Sequence, residues 1–404
     1  MGRDYRLLLA ANFVSFTGDW VLTAGLTYQV YALTGSALAS AGMVLATLIP
    51  QVTLGSFAGV AADRWDRRRT MIACNLLLAV TLLPLLLITE PGRIWLVYAV
   101  AAAQSALALC FASAEAALVP SLVEEKRLVT ANALNGQARD VARLVGAAAG
   151  GFLAAAGGIR LITIADAATF AAAAALLALI RYRAHQPGAK AAAPRTLSEW
   201  LAGTRMAVST RTLRTLLIFA LITGVGEAIM MTLMAPFVRD VLHGGAETYG
   251  TIMAVQAVGG LAGGALATLV GHRVPARLLL GGGAVVFGSL DLVLFLYPLI
   301  TTTVWPAFVI MVVVGLPGAL TVAGLVTVFQ TATEDSHRGR VYGAIMAVRA
   351  AAMLVGIALA GTLAGRAGIV PVIAVQGAAY LSAGLLVLAA LPRAPVGLAL
   401  INRG

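Results

Sequence analysis

Charge is what this chain has least of. Only 11% of its 404 residues are Asp, Glu, Lys or Arg, against 60% hydrophobic residues and a mean hydropathy of +0.92. A soluble domain carries about 25% charged residues, so a water-facing globule is excluded. Lysine is reduced to Lys126 and Lys190, and neither follows the glycine spacing of a phosphate-cradling Walker loop, which excludes an ATP-driven motor within the chain. The two cysteines, Cys74 and Cys110, each sit inside an apolar run, where a small hydrophobe is the expected role; no disulfide framework and no metal-ligand spacing is present. The four histidines fall between the apolar runs, and no Ser–His–Asp arrangement accompanies them, so neither an enzyme nor a cofactor or metal is expected. Aromatic residues make up 6%, and the arginines behind the formal net charge of +11 are scattered between apolar runs rather than gathered in an aromatic-laced patch. That pattern does not describe a nucleic-acid surface.

What is abundant is apolar sequence in blocks. A single core stops growing at roughly 250–300 residues, and blocks of about 20 residues match the thickness of a bilayer. The spacing predicts an all-α polytopic membrane protein with twelve spans, near 7–32, 38–61, 70–89, 94–119, 131–156 and 160–181, then 213–238, 248–271, 277–297, 302–329, 341–364 and 369–391. The opening stretch MGRDYRLLLAANFVSF lacks a short apolar region with an Ala-x-Ala cleavage site and reads as a retained first helix. The expected organisation is a six-helix bundle over 1–181, a linker over 182–212, a second six-helix bundle over 213–392 and a tail over 393–404. LSEWLAGTRMAV in the linker has the pattern of a short amphipathic surface helix. Most Lys and Arg fall at the two termini, the linker and the even-numbered loops, while the opposite loops hold only Arg93, Arg160, Arg239 and Arg366. The positive-inside rule then puts both termini in the cytoplasm.

The halves read as copies. A shift of 208 places Gly18-Asp19 on Gly226-Glu227, and a shift of 210 places Arg139 on Arg349 and Gly146, Gly151 and Leu153 on Gly356, Gly361 and Leu363. Parallel repeats of six helices build secondary transporters that rock two pseudo-symmetric halves. Ionisable residues inside spans are the natural candidates for function, because each costs on the order of 2.5–3.5 kcal/mol at a helix centre. Asp19 lies about twelve residues into the first span, roughly 18 Å along it, and Glu227 is its repeat mate; both are candidates for proton coupling, as is Asp140. In the fifth span Asn132, Asn135, Gly136, Arg139, Asp140 and Arg143 share one helical face. Arg139, Arg143 and Arg349 are candidates for gripping substrate or a buried acid, and Asp140 and Arg143 could equally neutralise one another at i,i+3. Glu115, Asp166 and Asp291 fall nearer span ends, where water or headgroups are expected to be in reach.

In a chain so poor in charge, GVAADRWDRRRT at 59–70 stands out. It resembles the G-x-x-x-D-x-x-G-R-R/K signature of the major facilitator superfamily, with Gly59, Asp63, Arg67 and Arg68 at four of its positions and Asp66 in place of the second glycine. TGSALASAG at 34–42, LVPSLVEEKRLVTANAL at 118–134, DAATF at 166–170 and HRGRVYG at 337–343 are similar to the branch that holds macrolide efflux proteins and the enterobactin exporter. The resemblance implies a major facilitator fold, a cytoplasmic gate built on Gly59, Asp63, Arg67 and Arg68, and export of small amphipathic compounds by proton antiport with alternating access. It implies a monomer in a bacterial inner membrane whose partners are a small-molecule substrate, protons and membrane lipids. Asp63 would cap a helix or pair with a base; the arginines would meet anionic headgroups or acidic partners, or serve only as a positive-inside signal. The chain departs from the antiporter pattern where Ala147 to Ala149 stand in a G-P-x-x-G-G stretch without its proline, in the missing arginine of the fourth span, and in LVGHRVPARLLL at 269–280, which lacks the aspartate. Nutrient import and export of lipid-like molecules are the alternatives.

Overall fold

The computed structural model describes residues 2–64, 66–88, 91–124, 127–181, 208, 210–271, 273–333 and 338–392, without the side chains of 55–64, 91, 129, 133 and 338–340. Most of the linker, the amphipathic LSEWLAGTRMAV stretch and the tail lie outside the described residues. All regular structure among the described residues is helical: α1 (Arg3–Thr34), α2 (Ala37–Arg64), α3 (Arg67–Leu82), α4 (Ile94–Leu122), α5 (Leu128–Ala178), α6 (Arg211–Pro236), α7 (Ala246–Val270), α8 (Ala276–Leu296), α9 (Trp305–Ala332), α10 (Arg338–Ala367), α11 (Ile369–Ile373) and α12 (Val375–Ala390). Two compact units result. One holds Met1–Pro194 with Gly244–Ala254, the other Arg195–His243 with Val255–Gly404.

Eleven stretches are long and apolar enough to cross a membrane. One of them is double length. The 51 residues of α5 would run about 75 Å if straight, more than twice a hydrocarbon core of ~30 Å, and they are broken at Gly158, whose φ of 58° and ψ of −151° are not helical. The run is therefore two crossings, a first arm (128–157) and a second arm (159–178), and the twelve spans read from hydropathy are all present. The last crossing, Ile369–Ala390, is made of α11 and α12 together.

Helix ends follow local chemistry. Gly35 closes α1 in the left-handed region, its N–H donating to the Tyr31 carbonyl at 2.8 Å. Asp66 caps α3, its side chain accepting from the Arg69 N–H at 2.8 Å, and Thr210 does the same for α6 from the Leu213 N–H at 3.2 Å. Within the spans, hydroxyls that would otherwise face hydrocarbon bond their own backbone: Thr17 donates to Phe13, Thr223 to Phe219 and Thr232 to Ala228, at 2.7–2.8 Å. Apolar side chains such as Leu26, Leu82, Ile162 and Phe170 fill the first unit, and Leu216, Leu280, Val341 and Ala383 the second. Others, including Phe152, Ile164, Val286 and Val322, face outward, which suits lipid rather than water.

The repeat is visible in packing. A Cβ on Gly146 would strike the Thr17 carbonyl, and one on Gly356 the Val225 carbonyl, so the same small-residue seam joins α5 to α1 and α10 to α6 at the sequence offsets of 210 and 208. The arginines of the 59–70 stretch reveal a second repeat element. Arg67 donates from Nη1 to the Ala117 carbonyl at 2.9 Å near the end of α4, and Arg68 donates to the Leu177 carbonyl at 3.0 Å and to the Ala178 carbonyl at the end of α5. In the second unit Arg277, the second residue of α8, donates to the Leu388 carbonyl near the end of α12. Leu388 is 210 residues beyond Ala178. These guanidinium groups bond carbonyls toward the C-terminal ends of neighbouring helices, the negative ends of their dipoles.

Two stability outcomes follow. Gly158→Ala forces a side chain into a conformation that only glycine tolerates and is expected to cost about 1–3 kcal/mol, whereas Gly264→Ala, where an added Cβ meets nothing within 4 Å, is expected to stay within about 1 kcal/mol of the parent; thermal melting of the purified variants separates them. Arg68→Met removes charge-assisted bonds to two carbonyls and is expected to destabilise by roughly 1–3 kcal/mol, with Arg68→Lys recovering only part.

Candidate functional site: ionisable groups inside the spans

In the first unit the fifth-span face read from the sequence divides into separate tasks. Glu115 of α4 is buried and acts as a hub: its Oε1 accepts from Asn12 Nδ2 of α1 at 2.8 Å and from Asn135 Nδ2 of α5 at 3.0 Å, while its Oε2 takes Arg139 Nη2 at 2.8 Å. Three helices are pinned by one carboxylate. The Arg139 guanidinium also lies 4.6 Å from the centre of the Phe16 ring, a cation–π contact. Arg143 sits 5.9 Å from the Trp20 ring, and its Nε is buried without a partner. Asp140 is exposed, and no ion pair joins it to Arg143 among the described residues, so the mutual neutralisation considered for that pair does not occur. Glu115 and Asp166, expected to reach water near span ends, are instead 4% and 0% exposed. The correction has a packing cause: a neighbouring helix covers each of them.

Gly18, the neighbour of Asp19, meets Asp166 across the contact between α1 and the second arm of α5. A Cβ added to Gly18 would run into Thr169 Oγ1 and an Asp166 carboxylate oxygen, so α1 lies directly against that carboxyl. Thr169 Oγ1 donates to the Asp166 backbone carbonyl at 2.8 Å and to its Oδ1 at 3.2 Å, and Oδ2 is buried with no donor. Asp19 is close enough to interact electrostatically with Asp166. Among the described residues no ion pair reaches Asp19, and its backbone carbonyl accepts from Thr23 Oγ1 at 2.7 Å.

The second unit places the corresponding residues differently. Glu227 of α6 forms an ion pair with Arg349 of α10, with side chains 23% and 35% exposed. A Cβ on Gly226 would approach Gln376 and Ala379 at 3.0 Å, as one on Gly18 would approach Asp166 and Thr169. Gln376 and Ala379 are each 210 residues beyond Asp166 and Thr169. Where the first unit has a second acid and a hydroxyl, the second therefore has an amide and a methyl. Gln376 Nε2 donates to Asp291 Oδ2 of α8 at 2.8 Å; Asp291, expected nearer the membrane surface, is 2% exposed. Tyr380 packs its ring on Phe219 and Phe287 and interacts electrostatically with Glu227, Arg349 and Asp291.

Arg139 and Arg349, repeat mates in sequence, thus serve different acids, Glu115 from α4 and Glu227 from α6. Gly59 and Asp63 lie in α2, where the side chains are outside the described residues, and the capping role expected of Asp63 lies there with them; Asp66 caps α3. Sequence reasoning missed the Glu115 hub and the partnership of Asp166. The signal for the latter was present, since the offset of 210 that pairs the arginines also pairs Asp166 with Gln376.

Comparison with known proteins fits this architecture. A family model described as MFS_3, transmembrane secretion effector, matches residues 3–397. The MFS-type transporter YfiS of Bacillus subtilis (strain 168) is 27% identical over 405 residues, 94% of this chain and 91% of the relative. The multidrug efflux pump Tap of Mycobacterium tuberculosis is 28% identical over 378 residues, covering 90% and 87%. Among solved structures, the nucleoside transporter NupG aligns with a TM-score of 0.76 at 15% identity over 96% of this chain and 100% of that one, and a D-xylose–proton symporter with 0.73 at 15% over 96% and 98%. At such identity these two establish the fold alone. With its matched family model, twelve crossings and repeated packing, the chain belongs to the transmembrane secretion effector family of bacterial major-facilitator membrane transporters.

Proposed function

We propose that this transporter exports small amphipathic compounds from a bacterial cell by proton antiport with alternating access, lying in the inner membrane with both termini cytoplasmic. One observation carries the coupling part of this reading: Asp19 is an acid inside a span with no countercharge among the described residues, while its repeat mate Glu227 is neutralised by Arg349. A carboxyl that no cation holds ionised in a membrane is one whose proton can be gained and lost with a change of hydration. Support for the direction of transport and the substrate class comes from the relationship to Tap, whose name records multidrug efflux. The arginine-rich loops support the orientation.

In inside-out vesicles with an acidic lumen, addition of a transported compound is expected to release protons, read with a pH-sensitive dye. Asp19→Asn is expected to abolish that release at unchanged expression. Full release by the variant removes Asp19 from coupling, and compound accumulation in the opposite sense supports import instead. The Glu227–Arg349 pair takes a different role in this scheme, holding α6 to α10. Glu227→Gln or Arg349→Met alone is expected to cost roughly 1–3 kcal/mol, between the exposed and fully buried limits for ion pairs, and the double variant to recover most of it; additive losses in thermal melting contradict this.

A further inference from the structure

We infer that Asp19 and Asp166 form a single proton-binding site, two carboxyls holding one proton between them across the contact of α1 with the second arm of α5. The inference rests on the proposed coupling role only for its use in transport; the sharing itself stands on geometry. Asp166 is fully buried, with a hydroxyl on one oxygen and no donor on the other. A carboxylate in such a place has half its hydrogen-bonding capacity unmet, which is expensive in a dry interior. Protonating one carboxyl of the pair supplies the missing donor and removes the repulsion between two like charges.

Among the described residues no ion pair reaches either carboxyl. On α4, Glu115 is an acid already committed to Asn12, Asn135 and Arg139. On the first arm of α5, Arg139 is held by that acid, Arg143 lies over Trp20, and Asp140 is exposed. On the second arm, Arg160 is exposed at the arm's start, fewer than about two turns before Asp166. Described α2 side chains over 37–54 include no ionisable group, and on α3 the neutral Asn75 accepts from Ser15 of α1 at 3.2 Å.

The second unit serves as an internal comparison. There the position of Asp166 is Gln376, that of Thr169 is Ala379, and the acid in the place of Asp19 has its own arginine. The same packing thus carries, in the second unit, an amide bonded to the buried Asp291 beside an ion-paired Glu227, and in the first unit two acids without an ion pair among the described residues. Glycine at position 18 keeps the two helices close enough for the pair, since any side chain there would displace the Asp166 carboxyl or Thr169.

The test is an infrared pH titration of the purified full-length protein in lipid nanodiscs, following the C=O stretch of protonated carboxyl groups. The wild type is expected to show one titrating component that Asp19→Asn and Asp166→Asn each remove or shift by more than about one pH unit. The double variant is expected to do no more than the larger single effect. Thr169→Val, which leaves both carboxyls in place, is expected to move the same midpoint without loss of thermal stability. If Asp166→Asn leaves the Asp19-dependent component unmoved, or if the two single effects add, the carboxyls are independent and the inference is overturned. Should Asp166→Asn fail to fold, an unmoved midpoint in Thr169→Val overturns it equally. This readout is separate from transport: a shared component with no compound-driven proton release defeats the antiport reading alone, and proton release without a shared component defeats the pair alone.

Discussion

The bilayer interior offers no water, and every polar group placed there must find its partner within the protein. This constraint decides most of what the chain does with its few charges. Backbone groups are closed by helices, and hydroxyls bond carbonyls one turn back. Where helices end, Arg67, Arg68 and Arg277 reach across to carbonyls of neighbouring helices. Glu115 is affordable only because two amides and a guanidinium surround it. Asp291 has the Gln376 amide in place of a cation, whereas the Asp166 carboxylate keeps one buried oxygen with no donor, at the contact with α1 beside Asp19.

The two units show how a duplicated plan can be kept for packing and altered for chemistry. The glycine seams recur at the sequence offsets that relate the halves, and an arginine staple recurs within one residue of them. The charges do not recur. Position 115 on α4 supplies an acid that draws Arg139 away from α1, whereas Arg349 remains with the acid on α6. One arginine position, with two choices of partner, neutralises the α6 acid Glu227 in the second unit and leaves its repeat mate Asp19 without an ion pair among the described residues. Such asymmetry is a simple way to confine a protonation event to one half of a symmetric frame.

Much of the fold was legible in the sequence because bilayer thickness imposes its length on each apolar block; even the fused α5 was read as two spans, near 131–156 and 160–181, and the structure breaks it between them at Gly158. The candidate site was only partly legible. Hydropathy locates an acid along a span but not around it, so Glu115, Asp166 and Asp291 looked peripheral when in fact adjacent helices bury them. Pairing across helices is a tertiary property: nothing local to Arg139 distinguishes Glu115 from Asp19 as its partner, and nothing local to Arg67 and Arg68 distinguishes carbonyl oxygens from lipid headgroups. The i,i+3 spacing of Asp140 and Arg143 suggested a pair that the helix face does not make. The repeat offsets held more information than the local pattern, because they align residues whose tertiary surroundings are alike.

The most direct measurement is of protons released when the purified protein binds a transported compound, taken in weakly buffered solution for the wild type, Asp19→Asn and Glu227→Gln. Release of about one proton per chain in the wild type and in Glu227→Gln, with none in Asp19→Asn, is expected of a coupling site confined to the first unit. Release that persists in Asp19→Asn and disappears in Glu227→Gln would place the proton in the second unit and contradict it.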